Sequence, residues 1–501
     1  MMHYKKIKKE IKLQLKDNYP NWKHLSKKQK KKIAKKVLNE VKDNYDFNQE
    51  VNDSIFDLLG IENQVISNKI ISIQEMRNIV LKNKSNTLLD LIDHHGYNPY
   101  LSDKELAFID DLLDNQVIDC LLAYEGYTPC MRDILPHHLL RAELLKSIKY
   151  PEISYRKFCT KEYLGMHQKE NKAFIGLPLH KNKMIDHTQL SKFRSFLTFA
   201  QMVNILVYIL YHFQKSGYLK EGLLHGLDSS ELPVTNQSLV ASFKINNHNI
   251  RIYEDLDCDC GKRRNKRDKS SYVIGYRLHT LTAINPENGH NYPLISLLAP
   301  ANHHDSNFAH PLISLAQAIG LEVKLVTADE AYHDKQGDIY KDTGACIITP
   351  ANSKTAIPEY VDLDCKQVFC NKNCLIPMQY LGVTEQEHEY KCNAEQGECL
   401  FTDSCPQCRF IPIDSGYFQR INLFNEHAQG AINIRKNSER PFNLLKNREG
   451  LKETRARSQQ GILSRCTFAQ MATLLITMAG TRQNAKPKKR QSQQPSLPLA
   501  A

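Results

Sequence analysis

The chain has 501 residues, 41% of them hydrophobic, and a formal net charge of +12. That length exceeds one small core and suggests about two to four domains, and the apolar share excludes a chain too polar to fold. The positive balance favours a polyanionic partner.

The opening "MMHYKKIKKEIKLQLK" is interrupted by lysines throughout, so no signal peptide is expected. Residues 1 to about 45 are lysine-dominated. In "SKKQKKKIAKKVLNEVKD", Ile33, Val37 and Val41 recur at helical spacing and Ser26 stands where a cap belongs. Two readings stay open here: a solvated helix with one apolar stripe, or a helix whose lysines touch DNA phosphates. Residues 46 to 220 read as mostly helical. The most membrane-like stretch, "FLTFAQMVNILVYILYHF" from Phe196 to Phe213, carries Gln201 and Asn204 and is expected to be a buried helix, with no membrane partner. Its "TFAQM" recurs at Thr467 to Met471, which is too short to define a repeat.

The pattern changes near Leu224. "LLHGLDSSELPV" reads as a strand with a polar tip, and "SYVIGYRLHTLTAI" and "YPLISLLAP" as two strands joined by the turn "NPENGHN". A helix, "FAHPLISLAQAIG", leads into the strand of "EVKLVTADEAY". Strands, a helix and a further strand suggest an α/β sheet, preceded by a mostly helical region. "KPKKR" and "QSQQPSLPLA" near the end predict a disordered tail over 483–501.

Asp228 and Asp329 each follow an apolar, strand-like run. Alone, each fits a turn or a cap. With Glu439 they form a possible set of three carboxylates. Such a set can hold two Mg²⁺ or Mn²⁺ ions roughly 4 Å apart for in-line phosphoryl transfer. Without cations, clustered carboxylates raise one another's pKa.

These residues carry a resemblance to the DDE-type insertion-sequence transposases, whose catalytic domain is RNase H-like. It covers about Lys146 to Gly480. "LDSSELPV" resembles the first-aspartate strand (Asp228), "VTADEAYHD" the second-aspartate strand (Asp329) and "RKNSERPFNLLK" the glutamate helix (Glu439). "VIGYRLHTLTA" and "LLAPANHHDSNF" resemble the two strands between them and the His-Asp segment that follows. The Y-R-E-K branch spaces its signature Y-x2-R-x3-E-x6-K; Arg435, Glu439 and Lys446 fit it, whereas Ile432 stands at the tyrosine. The resemblance implies that Arg435 and Lys446 hold the transposon end.

Positions 435, 439, 442 and 446 share one face of an ideal helix. Pro441 belongs in a first turn, which offers the alternative that Glu439 starts the helix and Arg435 lies just before it. His303, His304 and Asp305 are expected to form a turn with solvent-facing imidazoles, with a metal or phosphate role as the alternative. "CGKRRNKRDKSS" reads either as a DNA-contacting loop with Arg263, Arg264, Lys266 and Arg267, or as a solvated hairpin tip. Seven of the fourteen cysteines fall between Cys365 and Cys408. The pairs Cys370/Cys374 and Cys405/Cys408 suggest a four-cysteine structural Zn²⁺ site, with Cys392 and Cys399 as alternative ligands. Cys258 and Cys260 have a poor chelate spacing and read as structural.

The expected organisation is a lysine-rich helical region (1–130), a helical DNA-end-binding region (131–220), an RNase H-like catalytic domain (221–364 and 410–482) and a cysteine-rich insert (365–409). By resemblance, the chain is a cytoplasmic, nucleoid-associated DNA transposase. It would cut at terminal inverted repeats, through a hairpin on the transposon end, and join the freed 3′-hydroxyl to target DNA as a homodimer. A nuclease of the same fold that cuts without joining, and a domesticated non-catalytic DNA-binding protein, remain the alternatives.

Overall fold

The computed structural model describes residues 2–45, 70–85, 98–122, 134–220, 222–234, 238–245, 248–264, 270–285, 290–334, 337–350, 357–393, 405–413, 418–448, 451 and 458–483. Of the expected tail only Gln483 is described, as the end of the helix Gln459–Gln483; Lys266, Arg267 and Cys399 lie outside the described residues.

The protein is mixed α/β, built on a mixed sheet. Strand β1 (Leu224–Pro233) is central. A hairpin follows, β2 (Leu239–Ile245) with β3 (His248–Tyr253). Then come β4 (Asp259–Arg264), the long β5 (Ser270–Ile284) and β6 (Asn291–Pro300). The helix Ala309–Ala318 leads to β7 (Leu325–Ala328), and the helix Asp338–Thr343 to β8 (Cys346–Ile348). β1 runs antiparallel to β5 and parallel to β7, and β7 is parallel to β8. The sheet order is β4–β5–β1–β7–β8, and β6 shares with β4 the far edge of β5.

That shared edge explains Gly275. Residues 270–275 of β5 pair with β4 and residues 276–284 with β6. At the switch Gly275 takes φ +155°, and a Cβ there would lie 2.3 Å from the Leu232 carbonyl oxygen. Only glycine fits without moving backbone.

The core does not divide near residue 220, where helix gives way to strand. Residues from Ile73 to Ala479 pack into one apolar cluster that includes the sheet, the helix Phe199–Lys215 and the helix Gln459–Gln483. Phe199–Lys215 is buried, as its apolar length predicts. Gln459–Gln483 is long and apolar enough to cross a membrane, but 83% of that stretch is buried within the protein. The helix Pro136–Lys149 is almost entirely buried, and its charges turn inward: Arg141 pairs with Asp110, and Glu143 with Arg194.

A second, smaller core joins the N-terminal helices Met2–Asn18 and Lys27–Asn44 to the β2–β3 hairpin. Ser26 caps the second helix in a capping box with Gln29, satisfying two backbone donors that would otherwise lack partners. Ala34, Val37, Leu38 and Val41 form its buried stripe. Burying the three larger side chains contributes about 1.5–3 kcal/mol each before conformational entropy.

The cysteine-rich segment has its own core, which draws on residues from Ile357 to Phe424 and so extends beyond 365–409. Its short strands are β9 (Val361–Asp362), β10 (Gln367–Val368), β11 (Gln379–Val383), β12 (Glu387–Lys391) and β13 (Cys408–Pro412). A clasp closes its neck just after β8. The Thr349 N–H donates to Gln419 Oε1 (3.1 Å), and Gln419 Nε2 donates to the Thr349 carbonyl (2.8 Å). The buried His388 ring reaches the Gln419 carbonyl from inside the insert.

Candidate active site and cysteine cluster

The register β1–β7 pairs Leu227 with Ala328. Asp228 and Asp329 are the next residues of two adjacent parallel strands, which lie about 4.8 Å apart. Continuing the ladder by one step therefore sets the two acids side by side. Asp228 is half-buried and Asp329 exposed, so the pair stands at the rim of the sheet. Each carboxylate accepts the following N–H: Ser229 to Asp228 (2.8 Å) and Glu330 to Asp329 (2.6 Å).

The third acid arrives on a broken helix. The helix Glu426–Ile434 packs over β7 and β8, a 3-10 turn Arg435–Ser438 crosses β1 and β5, and a new helix Glu439–Arg448 continues to β6. The Thr327 hydroxyl donates to the Ala431 carbonyl (3.1 Å) and ties this crossing to β7. The shared helical face expected for positions 435, 439, 442 and 446 is therefore corrected: Arg435 and Glu439 belong to different helical segments. Pro441 sits in the first turn of the second, where its missing N–H costs nothing. Phe442 and Leu445 bury that helix, Glu439 is exposed and Lys446 half-buried. Ile432, at the tyrosine position, is packed into the apolar seam between the first helix and the sheet.

The Asp228 carboxyl is pushed up to about 6, first by burial and then by the nearby charges of Glu439 and Asp329. The Ser229 N–H and Arg435 pull the other way. The three acids and Arg435 thus share one electrostatic neighbourhood. Even so, among the described residues no three His, Cys, Asp or Glu side chains converge closely enough to hold a metal ion between them.

Behind the acids lies a network that the sequence reading missed. His279 on β5, fully buried, is paired in register with Ser229. Its Nδ1 lies 3.0 Å from the Tyr332 hydroxyl, and its ring stacks on Phe308 at 3.8 Å. Burial holds the imidazole well below its usual pKa, and so neutral. Tyr332 is also within hydrogen-bonding reach of the Ser229 side chain, so it links the turn after Asp329 to the residue after Asp228. Arg277, two residues before His279, binds Asp305 (2.7 Å) and lies 3.6 Å from Glu231. The His303–Asp305 segment is corrected accordingly: His303 is buried against the edge of Phe308, only His304 is exposed, and Asp305 is an internal ion-pair partner. The available signal was the polar pair 277/279 at strand period in an otherwise apolar run.

Arg263 and Arg264 lie on β4, opposite Ser271 and Ser270, rather than in a loop. In the insert, Cys370 and Cys374 are buried, and the thiols of Cys374 and Cys405 both reach that of Cys370. Burial, then these neighbours, push the Cys370 thiol up to about 12. The Cys392 N–H donates to the Gln407 carbonyl (2.7 Å), which draws Cys392 to the segment that carries Cys405. Cys408 opens β13 opposite Lys391.

No family model matches the chain, and no curated protein matches it. Among solved structures, a chain of the piggyBac transposase synaptic complex with hairpin DNA matches with a TM-score of 0.24 and 11% identity, over 81% of this chain and 84% of that one. A score that low carries no argument about fold or activity.

Proposed function

We propose that the chain is a DDE-type DNA transposase with an RNase H-like catalytic domain. The reading is carried by Asp228 and Asp329, in step on adjacent parallel strands, with Glu439 and Arg435 in the same electrostatic neighbourhood. The mixed sheet, with β6–β5–β1 antiparallel and continued by parallel β7 and β8, supports an α/β catalytic core.

Asp228, Asp329 and Glu439 are the residues that would hold Mg²⁺ or Mn²⁺, and their hard carboxylate oxygens suit either ion. When bound, such ions supply Lewis acidity to phosphoryl transfer. The chain supplies the rest. The N–H groups of Ser229 and Glu330 orient two carboxylates, and Arg435 offers a positive charge beside Asp228 for a substrate phosphate. In the proposed reaction, water cleaves a phosphodiester at the element's end and leaves a 3′-hydroxyl. That hydroxyl attacks the opposite strand, sealing the transposon end as a hairpin and releasing the flanking DNA. A second water opens the hairpin and regenerates the 3′-hydroxyl, which then attacks a target phosphodiester and releases a target 3′-hydroxyl. Synapsis of two ends requires two copies of the chain. The cysteine cluster is proposed to hold a structural Zn²⁺ through Cys370, Cys374 and Cys405, with Cys392 or Cys408 as the fourth thiolate.

The test supplies end-containing duplex, target plasmid and Mg²⁺. Cleaved and joined products are expected. Asp228→Asn and Glu439→Gln should each lower cleavage by about a thousand-fold or more, as losses of groups that act as a unit do. Unchanged cleavage in either variant would refute the site, and cleavage without joining would make the protein a nuclease.

A further inference from the structure

The lysines of the N-terminal helices divide into two sets. One set is spent on docking. Lys8 pairs with Asp259, Lys16 with Asp257 and Lys30 with Glu254, and Lys12 donates to the Cys258 carbonyl (3.0 Å). These partners all belong to the acidic segment 254–259, which runs from the end of β3 into the first residue of β4. The second set, including Lys27, Lys28 and Lys31, is exposed. Among the described residues none of these three has a carboxylate partner.

The buried stripe of the helix Lys27–Asn44 fixes which way these lysines point. They line one wall of a groove of ≈ 620 Å³ whose other wall is Leu239, Val240, Ala241 and Ser242 of β2. The first turn of an 18-residue helix lies on this groove, so its positive end adds to the three ammonium charges. The hairpin that forms the second wall leaves β1 only a few residues after Pro233. The groove is therefore attached to the strand that carries Asp228.

We propose that this groove grips the sugar-phosphate backbone of duplex DNA, with Lys27, Lys28 and Lys31 as phosphate contacts. This rests on the reading of the chain as a DNA-acting enzyme and names a surface that reading did not specify. The occupant follows from charge: cations on flexible stems along an open groove suit a repeating anion without reading its sequence. Their exposure contrasts with Lys8, Lys16 and Lys30, whose ion pairs dock the helices.

The experiment measures binding of the full-length protein to a labelled duplex by fluorescence anisotropy across a salt series. Each phosphate contact contributes about 0.9 to the slope of log K against log salt. The triple variant Lys27→Gln/Lys28→Gln/Lys31→Gln should lower that slope by roughly 2–3, and the corresponding Lys→Arg variant should keep it. All three residues are exposed, so the circular dichroism spectrum should not change. A slope and affinity unchanged in the Gln variant would overturn the proposal, as would a loss seen only on anionic vesicles. If the wild type binds duplex but does not cut it, the catalytic reading fails and the groove is still judged by the slope. If the wild type binds no duplex, both fail.

Discussion

The acids around Asp228 and the cysteine cluster are both crowded sets of titratable side chains, on unlike foundations. Asp228 stands on β1 and Asp329 just beyond the end of β7, two adjacent strands whose ladder joins segments about a hundred residues apart. The cysteines stand mostly in the links beside short strands, in a separate small core. Crowding acts oppositely on the two. At the acid site burial, and after it the neighbouring charges of Glu439 and Asp329, disfavour the ionised Asp228, so the metal-free protein carries an electrostatic cost. In the insert it favours neutral thiols, which pack as small apolar groups and carry no such cost. A cation would thus relieve the acid site, whereas zinc would have to displace protons from the insert.

The largest effect that tests this contrast is in the insert. If Zn²⁺ holds it, Cys370→Ser should release the metal and lower stability by several kcal/mol, on the order of 3. Zinc content and the urea midpoint measure both. An unchanged midpoint in a metal-free protein would leave the thiols as core packing only.

Next is the acid site. The folded Asp228 carboxyl titrates near 6, above its value in an unfolded chain. Its cost is absent below about pH 4, where both states are protonated, and grows as pH rises to about 6. Stability of the metal-free protein should therefore fall across that window. Asp228→Asn should remove the fall and gain on the order of 2 kcal/mol at pH 7, while cleavage is lost. Parallel pH profiles for the two proteins would show that Asp228 is not the strained group. The smallest effect is at Tyr332→Phe, which deletes the hydroxyl between His279 and Ser229 and should cost about 1 kcal/mol. If the tyrosine positions Asp329, kcat should drop in Mg²⁺ assays more than KM rises; a change in stability alone would make it a structural residue.

Much of this was legible in sequence where the signal is local. The apolar runs of β1, β5 and β6 and the stripe of Ile33, Val37 and Val41 each correspond to an observed element. What escaped was long-range. Lys8 and Asp259 are 251 residues apart, and nothing in either neighbourhood announces their pairing. The apolar side of the β2–β3 hairpin is explained only by the helices that cover it. "TFAQM" gives the clearest case. Thr198 is an N-cap, bonded through Gln201 in a capping box. Thr467 lies mid-helix with its hydroxyl on the Leu463 carbonyl. The two helices pack together, yet the same five residues begin one of them and run through the interior of the other.

The clasp between Thr349 and Gln419 has a consequence for how the acid site is assembled. Glu439 lies beyond the insert in the chain, so its helix can reach the sheet only after the intervening segment has been looped out. Closing so long a loop carries an entropic cost that grows with the logarithm of its length. The reciprocal amide bonds at Gln419 bring the two ends together beside β8 and reduce the segment to a short stalk. The insert can then vary in size with little effect on the distance from Asp329 to Glu439. A chain that lengthened or lost its cysteine-rich segment while keeping this clasp would still deliver its third acid to the same place.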